Sequence, residues 1–486
     1  MKYHNGFVER ALPHGTERRR KYDLGLKGGR ILVNEGWQCF LWKFRDYRRQ
    51  TNPRKNIGRI TSPEVVLINT DENVELIKNV TLSVIIPTKN AGSEFGNLLN
   101  TIKNQRGIKN LEVVIVDSGS TDETIEFAKS HGAKVIEIPP EKFSHSYSRN
   151  LGVDNAKGEY LFFTVQDSLL PSYTWLYEFL DAMEKNEVSA VSCAEFPRED
   201  ADLFYRSISW NHYRFLEVDE MDRIFSMPQK ENYITMRKNG QLSDIACLIS
   251  KDIFMKYRYR FNYAEDLDLG MRLIKDGHKI AFLSSIRIIH SHNRPSYYFL
   301  KRGYVDSIFL SSMFPDFFVP DIRMSDVAKS IIFTYSRIYS IINNLNRSIN
   351  LPCDVDYFKD VIDKKLKSNS DLESEFFVDL SDNRYIDGNF KLFLENIFVE
   401  YSTKEGGVLY NNILVDAMVN FMDIVFEYMR KSYELIDEYI LEDFKACVFK
   451  VFAILCGSHI AYCYLKNPEN ENQKLLEINN DLTKGV

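Results

Sequence analysis

The sequence has few signs of covalent or metal cross-linking. Its seven cysteines (Cys39, Cys193, Cys247, Cys353, Cys447, Cys456 and Cys463) are scattered, with no CxxC and no paired spacing. That pattern argues against a disulfide framework or a zinc site and suits a reducing compartment. The opening residues, MKYHNGFVER, contain no apolar stretch of the signal-peptide kind, so no secretory leader is expected. The most membrane-like run, Val451–Leu465, has about 15 residues and contains His459. A bilayer needs about 20, so the run reads as a buried helix. Internal repeats and low-complexity tracts are absent. No recognisable nucleic-acid motif accompanies the basic residues, so nucleic acid is not an expected partner.

Acidic residues are scarce in only one region. Residues 1–60 carry 15 Lys and Arg against 5 Asp and Glu, leaving about −16 for the remainder of a chain of 486 residues and net charge −6. Arg18–Lys21 and Lys43–Arg49 fit a solvated helical face. They fit equally an attraction to anionic lipid or to a phosphate-bearing acceptor, since Trp37, Phe40, Trp42 and Phe44 interleave with the second cluster. The length allows two or three domains with an ample core.

The segment Leu82–Asp122 shows the organisation most clearly. Leu82–Ile86 and Leu111–Val116 are short apolar runs rich in Val and Ile, each ending in polar residues, as expected of strands buried on both faces. Between them Phe95, Leu98, Leu99 and Ile102 fall at helical spacing, giving a strand–helix–strand unit. Alternation continues to about residue 305, which predicts one α/β domain. A helix starts at Ser120–Glu123, a strand covers Lys134–Ile138 and a polar helix begins near Ser146. A strand over Glu159–Val165 follows, then a helical stripe from Trp175 to Met183 and a strand over Val188–Phe196. Residues 200–245 read as a long loop with short helices. Ile245–Ser250 is expected to be a strand, Glu265–Asp276 a helix closed by Gly277, and Lys279–Leu283 and Ile286–Ile289 two further strands. Beyond about 310 the spacing turns to three and four, notably over Ser325–Asn346 and Asn411–Ile440, so a mostly helical tail is expected. Packing or self-association into a homo-oligomer is its default role. The domain limits read from these changes are 1–79, 80–310 and 311–486.

In an open parallel sheet, ligands sit past the carboxyl ends of the strands. Asp117, Asp167, Glu265 with Asp266, and His290 all stand at strand ends or helix starts on what should be that edge. Singly each has a structural explanation, as a cap or a lone histidine after a strand. Together they offer a carboxylate and an imidazole for Mg2+ or Mn2+. They also offer a carboxylate, Asp266, in the first turn of a helix, able to take a proton from a hydroxyl. Glu265 or Asp268 is suited to hold a substrate hydroxyl or to cap. No GxGxxG follows the first strand, which carries Pro87-Thr88-Lys89 instead, and this excludes a Rossmann dehydrogenase.

VIIPTKN, VIVDSGSTD, FSHSYSRNLG, GEYLFFTVQD, YAEDLDLGMRLIKDGHKI and IRIIHSHN, in this order, resemble the inverting family 2 glycosyltransferases. FSHSYSRN, QD and HSH look most like the bacterial rhamnosyltransferase branch. The resemblance covers about residues 80–305. It implies a GT-A fold, a Rossmann-like mixed α/β sheet, here with a helical N-terminal segment and a mostly helical C-terminal region. It implies a nucleotide-sugar donor, dTDP-rhamnose by analogy with the branch and a UDP-hexose or UDP-N-acetylhexosamine as the alternative. The acceptor would be a hydroxyl of a glycan or lipid-linked molecule. By the same resemblance Pro87, Thr88, Asn90, Asp117 and Ser118 would contact the nucleoside. Arg149 and Asn150 would lie near the nucleobase or diphosphate, with Gln166 beside the metal motif. Asp167 and His290, or His292 in its place, would hold Mg2+ or Mn2+, and Asp266 with Glu265 would supply the general base. The first acid of the family's DxD falls on Thr164 or Val165 here, so metal binding would depend on fewer carboxylates. This departure gives weight to an alternative, a catalytically silent sugar-nucleotide-binding scaffold, against which intact Glu265-Asp266 and His290 count. The expected location is the cytoplasm, with peripheral contact to the inner face of the cell membrane through the basic N-terminus.

Overall fold

A computed structural model of the protein describes residues 77–92, 94–367, 380, 382–401, 413–466 and 473–484. The basic N-terminal segment lies, up to residue 76, outside the described residues. The described residues divide into two compact units, those from 77 to 199 with 212–291, and residues 200–211 with those from 292 on.

The first unit is built on an eight-stranded sheet. Its elements are β1 (Lys78–Thr88), α1 (Phe95–Lys103), β2 (Ile108–Asp117), α2 (Thr124–Ser130), β3 (Lys134–Glu137), α3 (His145–Asp154), β4 (Tyr160–Thr164), α4 (Trp175–Lys185) and β5 (Ala190–Phe196). After α5 (Leu203–Phe215) come β6 (Arg223–Phe225), α6 (Tyr233–Asn239), β7 (Ala246–Ser250), α7 (Lys251–Tyr257), α8 (Glu265–Lys275) and β8 (Ile280–Ile289). The strand order is β3-β2-β1-β4-β7-β5-β8-β6. β1 to β4 pair in parallel, β7 runs antiparallel to both β4 and β5, and β5 and β8 are parallel to each other. The carboxyl ends of β1, β2, β4, β5 and β8 therefore share one edge of the sheet, where the start of β7 also lies. This is the mixed α/β sheet of the GT-A type that the sequence predicts, and the helical region after it is also as expected.

The core explains the pattern read from sequence. Leu82, Val84 and Ile86 of β1 join Phe95, Leu98, Leu99 and Ile102 of α1 in one buried cluster with Trp175, Leu176, Phe179 and Leu180 of α4. Burying a side chain of this size contributes roughly 1.5–3 kcal/mol.

Two local readings need correction. The two strands expected over 279–289 are one, β8, because Ser284 and Ser285 are not a turn. Their backbone N–H groups donate to Asp222 Oδ1 at 2.6 and 2.7 Å, which lets the strand bulge there and continue. Residues 200–245 are also more ordered than a loop, holding the 13-residue α5 as well as β6 and α6.

Glycine decides how α8 is seated. A Cβ on Gly270 would lie 2.0 Å from the carbonyl oxygen of Gly240, so α8 packs against the end of α6 by direct backbone approach. Gly270→Ala is expected to lift α8, cost about 1–3 kcal/mol and misplace the acids at its start. The denaturant midpoint would fall.

The second unit is helical, with α9 (Ser296–Met313), α10 (Met324–Ser348), α11 (Val355–Lys367), α12 (Gly388–Tyr401), α13 (Ile413–Ser432), α14 (Glu438–Lys466) and α15 (Gln473–Leu482). The helical pattern expected through residue 440 breaks after α13. Ile436 pairs backbone-to-backbone with Cys353, at 2.7 and 3.2 Å, and Asp437 then caps α14 by accepting from Ile440 N–H at 2.8 Å. The apolar run at 451–465 belongs to a helix of 29 residues, longer than its hydrophobic stretch. By length and composition α14 could cross a membrane, but two-thirds of its most apolar window is buried inside the protein. It crosses α9 at a pair of glycines. A Cβ on Gly457 would meet Leu300 O at 1.9 Å, and one on Gly303 would meet Ile454 O at 2.1 Å.

Candidate active site

Three groups of side chains line the shared edge of the sheet in the first unit. The first surrounds Asp117, at the last position of β2 and paired in register with Thr88 of β1. Asp117 is fully buried and its carboxylate is saturated. Oδ1 accepts from Gly119 N–H at 3.0 Å and Ser120 N–H at 2.8 Å, and Oδ2 from Thr88 Oγ1 at 2.8 Å and Ser120 Oγ at 2.5 Å. Those four bonds fill the acceptor capacity of a carboxylate, so Asp117 shapes this loop from within. Ser118, also buried, donates its N–H to Thr88 O at 2.9 Å. Asn90 adopts a left-handed backbone (φ 46°), donates its N–H to Ser120 Oγ at 2.8 Å and accepts from Thr121 N–H at 2.7 Å. Pro87 precedes this pair within β1. A depression of about 510 Å³ beside the turn is lined by Gly92, Thr121, Asp122, Glu123, Glu126 and Phe127. Its three carboxylates make it unsuited to a diphosphate.

The second group follows β4. Gln166 bridges back to β1, accepting from Lys89 N–H at 2.8 Å and donating to Lys89 O at 3.2 Å. Asp167 lies next to it, in a turn tied to β8 by two backbone bonds of 2.9 Å between Leu169 and Ile289. That tie brings Asp167 Oδ1 within 3.7 Å of His290 Nε2. The gap is long for a hydrogen bond, but it falls within the span of two ligands on one octahedral ion with bonds of about 2.1 Å. His290 is buried, and its other nitrogen, Nδ1, is 2.8 Å from Glu195 Oε2. Thr164, which stands near the place of the missing first acid, is committed to structure through Ser168 Oγ and Ile245 O, each at 2.7 Å. His292 follows in the chain as the first residue of the segment that returns to the second unit.

The third group gathers at the start of α8. Arg149 of α3, almost fully buried, donates from Nη1 to Glu265 Oε1 at 2.8 Å and lies 3.1 Å from Asp244 Oδ2. Tyr259 donates to Asp244 Oδ1 at 2.5 Å. Asn150 holds the Tyr259 backbone from both sides, at 3.0 and 3.2 Å. Arg149, almost fully buried, is turned toward these acids and not toward an open crevice. The chain enters α8 through Ala264 in a left-handed conformation (φ 49°, ψ 35°), and this sharp entry sets Glu265 and Asp266 at the helix start. Asp266 remains partly exposed, with Oδ1 accepting from Leu267 N–H at 2.7 Å. Three carboxylates thus surround one guanidinium. Burial, reinforced by the charge of Asp244, pushes Asp266 up to about 7 and Glu265 well above its usual range. Asp268, by contrast, pairs with Arg272 at 2.7 Å within the helix.

Sequence reasoning missed Asp244, Glu195 and Arg198. Asp244 precedes an antiparallel strand, so it reaches the edge from the amino end of β7. Glu195 lies inside an apparently ordinary strand. Arg198 binds the backbone carbonyl of Asp167 and pairs with Glu94 at 2.7 Å, which places a partly exposed guanidinium beside the Asp167 turn. Its only sequence signal is a charged tripeptide after Pro197.

Residues 83–256, which carry the first group, Gln166, Asp167 and Glu195 of the second, and Arg149 and Asp244 of the third, match the family model described as Glycosyl transferase family 2. The chain carries a family 2 glycosyltransferase domain. Two relatives of the chain are O-antigen chain rhamnosyltransferases, in keeping with the branch expected from the motifs. WbaN of Salmonella anatum is 25% identical over 216 residues, covering 43% of this chain and 66% of its own length. RfbN of Salmonella typhimurium is 26% identical over 218 residues, covering 44% of this chain and 67% of its own. The chain thus spans about two-thirds of the length of these relatives. A mannosyltransferase of Pyrobaculum calidifontis, solved in complex with GDP-Man and Mn2+, is 16% identical with a TM-score of 0.39 over 61% of this chain and 77% of that one.

Proposed function

We propose that the protein transfers a sugar, with inversion, from a nucleotide-sugar donor to a hydroxyl of a glycan or lipid-linked acceptor, and that Asp266 is the general base. The observation that carries this reading is the gathering of Asp244, Glu265 and Asp266 around Arg149 at the start of α8, with Asp266 partly exposed; burial and the charge of Asp244 support it by raising Asp266 to about 7. A base poised near neutrality takes a proton from a hydroxyl more effectively than an ordinary aspartate. The loop shaped by Asp117, with Pro87, Thr88, Asn90 and Ser118, is assigned to the nucleoside. Asp167 and His290, with His292 as the alternative imidazole, would hold Mg2+ or Mn2+. Bound there, the cation would supply charge neutralisation to the departing diphosphate. Arg198, at the Asp167 turn, is assigned the second positive charge for that leaving group in place of Arg149. The two rhamnosyltransferase relatives favour a deoxysugar donor such as dTDP-rhamnose over a UDP-hexose or UDP-N-acetylhexosamine. The reading places the protein in the cytoplasm. The helical region over 311–486 is proposed to pack against an acceptor or a second copy, and the basic segment over 1–79 to contact anionic lipid.

A panel of nucleotide sugars tested by thermal shift with Mn2+ checks the assignment. One donor should raise the unfolding temperature by mass action, and the rise should shrink in Arg198→Met. Turnover of that donor in the presence of acceptor separates an enzyme from a silent scaffold. A panel with no stabilising donor would remove the reading.

A further inference from the structure

We infer that Glu195 is the positioning residue for His290, accepting the Nδ1–H of the imidazole so that Nε2 is held facing Asp167 and a divalent cation. The inference rests on the proposed reading of Asp167 and His290 as cation ligands. It adds how the imidazole is held, which that reading leaves open.

The contact depends on an irregularity in the sheet. Cys193 of β5 is in register with Leu283 of β8, and if that register continued, Glu195 would stand opposite Ser285. The bulge around Ser284 and Ser285, anchored on Asp222, advances β8 by three residues. Glu195 then pairs with Ile288 and Phe196 with Ile289. His290 N–H donates to Phe196 O at 3.0 Å, which fixes the backbone of the histidine against the same strand. The bulge thus brings a carboxylate and an imidazole, 95 residues apart, to 2.8 Å. Glu195 is 7% exposed and His290 4%, so water does not compete freely for either. Tyr213 Oη accepts from the Glu195 N–H at 3.1 Å and steadies the strand at that residue.

An imidazole that donates through one nitrogen offers the lone pair of the other. A carboxylate acceptor both selects that tautomer and raises the basicity of the ligating nitrogen. Asp167 is held by other means, since its turn is bonded to Ile289 and to Arg198. The two ligands therefore have separate supports, and loss of Glu195 should release only the histidine.

Mn2+ binding to the full-length protein, followed by electron paramagnetic resonance of the free ion, tests this. Glu195→Leu should weaken binding about 10–100-fold, and Glu195→Gln, which keeps an acceptor oxygen, should recover much of the loss. Unchanged affinity in Glu195→Leu would overturn the inference and leave the cation site standing. Absence of Mn2+ binding by the wild type would overturn the cation reading itself, and the inference with it. Nitrogen-15 spectra of the Mg2+-saturated wild type give a readout that needs no variant. A proton on Nδ1 of His290 supports the inference, and a proton on Nε2 refutes it.

Discussion

Asp266→Asn is expected to stop sugar transfer while making the protein harder to unfold at pH 8. Removal of a general base typically costs about 10²–10⁴ in rate, and amide nitrogen cannot take the acceptor proton. Nucleotide binding, assigned to the loops after β1 and β2, should be unaffected in thermal-shift titrations. The gain in stability follows from proton linkage. In the folded protein burial and the charge of Asp244 raise Asp266 to about 7, above its value in the unfolded chain. The fold therefore favours the protonated form. Its stabilising contribution is complete below about pH 4 and is lost as pH rises through 7. Asparagine mimics the neutral acid at every pH. The variant should exceed the wild type by on the order of a few kcal/mol at pH 8, with the difference closing as pH falls toward 4. In the wild type, kcat/KM should drop about tenfold per pH unit below 7. Retained transfer by the variant, or a flat profile between pH 5 and 8, would exclude Asp266 from the role.

The second large effect is expected at Arg149. Among the described residues its guanidinium is the cation that pairs with Asp244 and Glu265, and Arg149 and Asp244 are both buried. Arg149→Met keeps most of the volume and removes the charge, leaving carboxylates in a poorly hydrated site. Breaking one partner from a buried pair costs about 3–5 kcal/mol. The first unit should unfold at markedly lower denaturant. Adding Asp244→Asn removes one stranded carboxylate and should restore part of the loss, a coupling that a double-mutant cycle measures directly. Additive effects in that cycle would mean that the two side chains act independently.

Most of the edge was legible before the structure because parallel strands announce themselves twice. Each is an apolar run, and each ends where the chain turns polar, so Asp117, Asp167 and His290 could be placed from β2, β4 and β8 alone. Asp266 was legible from the first turn of an amphipathic helix. What could not be read was how these groups are used. Asp117 has the spacing of a ligand-binding acid, yet its four internal hydrogen bonds turn it toward its own loop. Arg149 looks like a phosphate contact, but α3 carries it inward to acids that lie 95 and 116 residues further along the chain. Such pairings depend on how α3, β7 and α8 meet, and no local periodicity encodes that. The bulge in β8 was invisible for a related reason. Ser284-Ser285 has the composition of a turn, and only the remote carboxylate of Asp222 makes it part of a strand.

The glycine crossing of α9 and α14 bears on how the protein could associate with lipid. Among the described residues α14 is the one helix with the length and hydropathy to enter a bilayer. It is also locked to its neighbour at distances that admit no side chain at Gly303 or Gly457. Withdrawing it would dismantle the hydrophobic interior of the helical unit. Attachment to a vesicle that leaves the helical unit folded therefore does not use α14 as a membrane span.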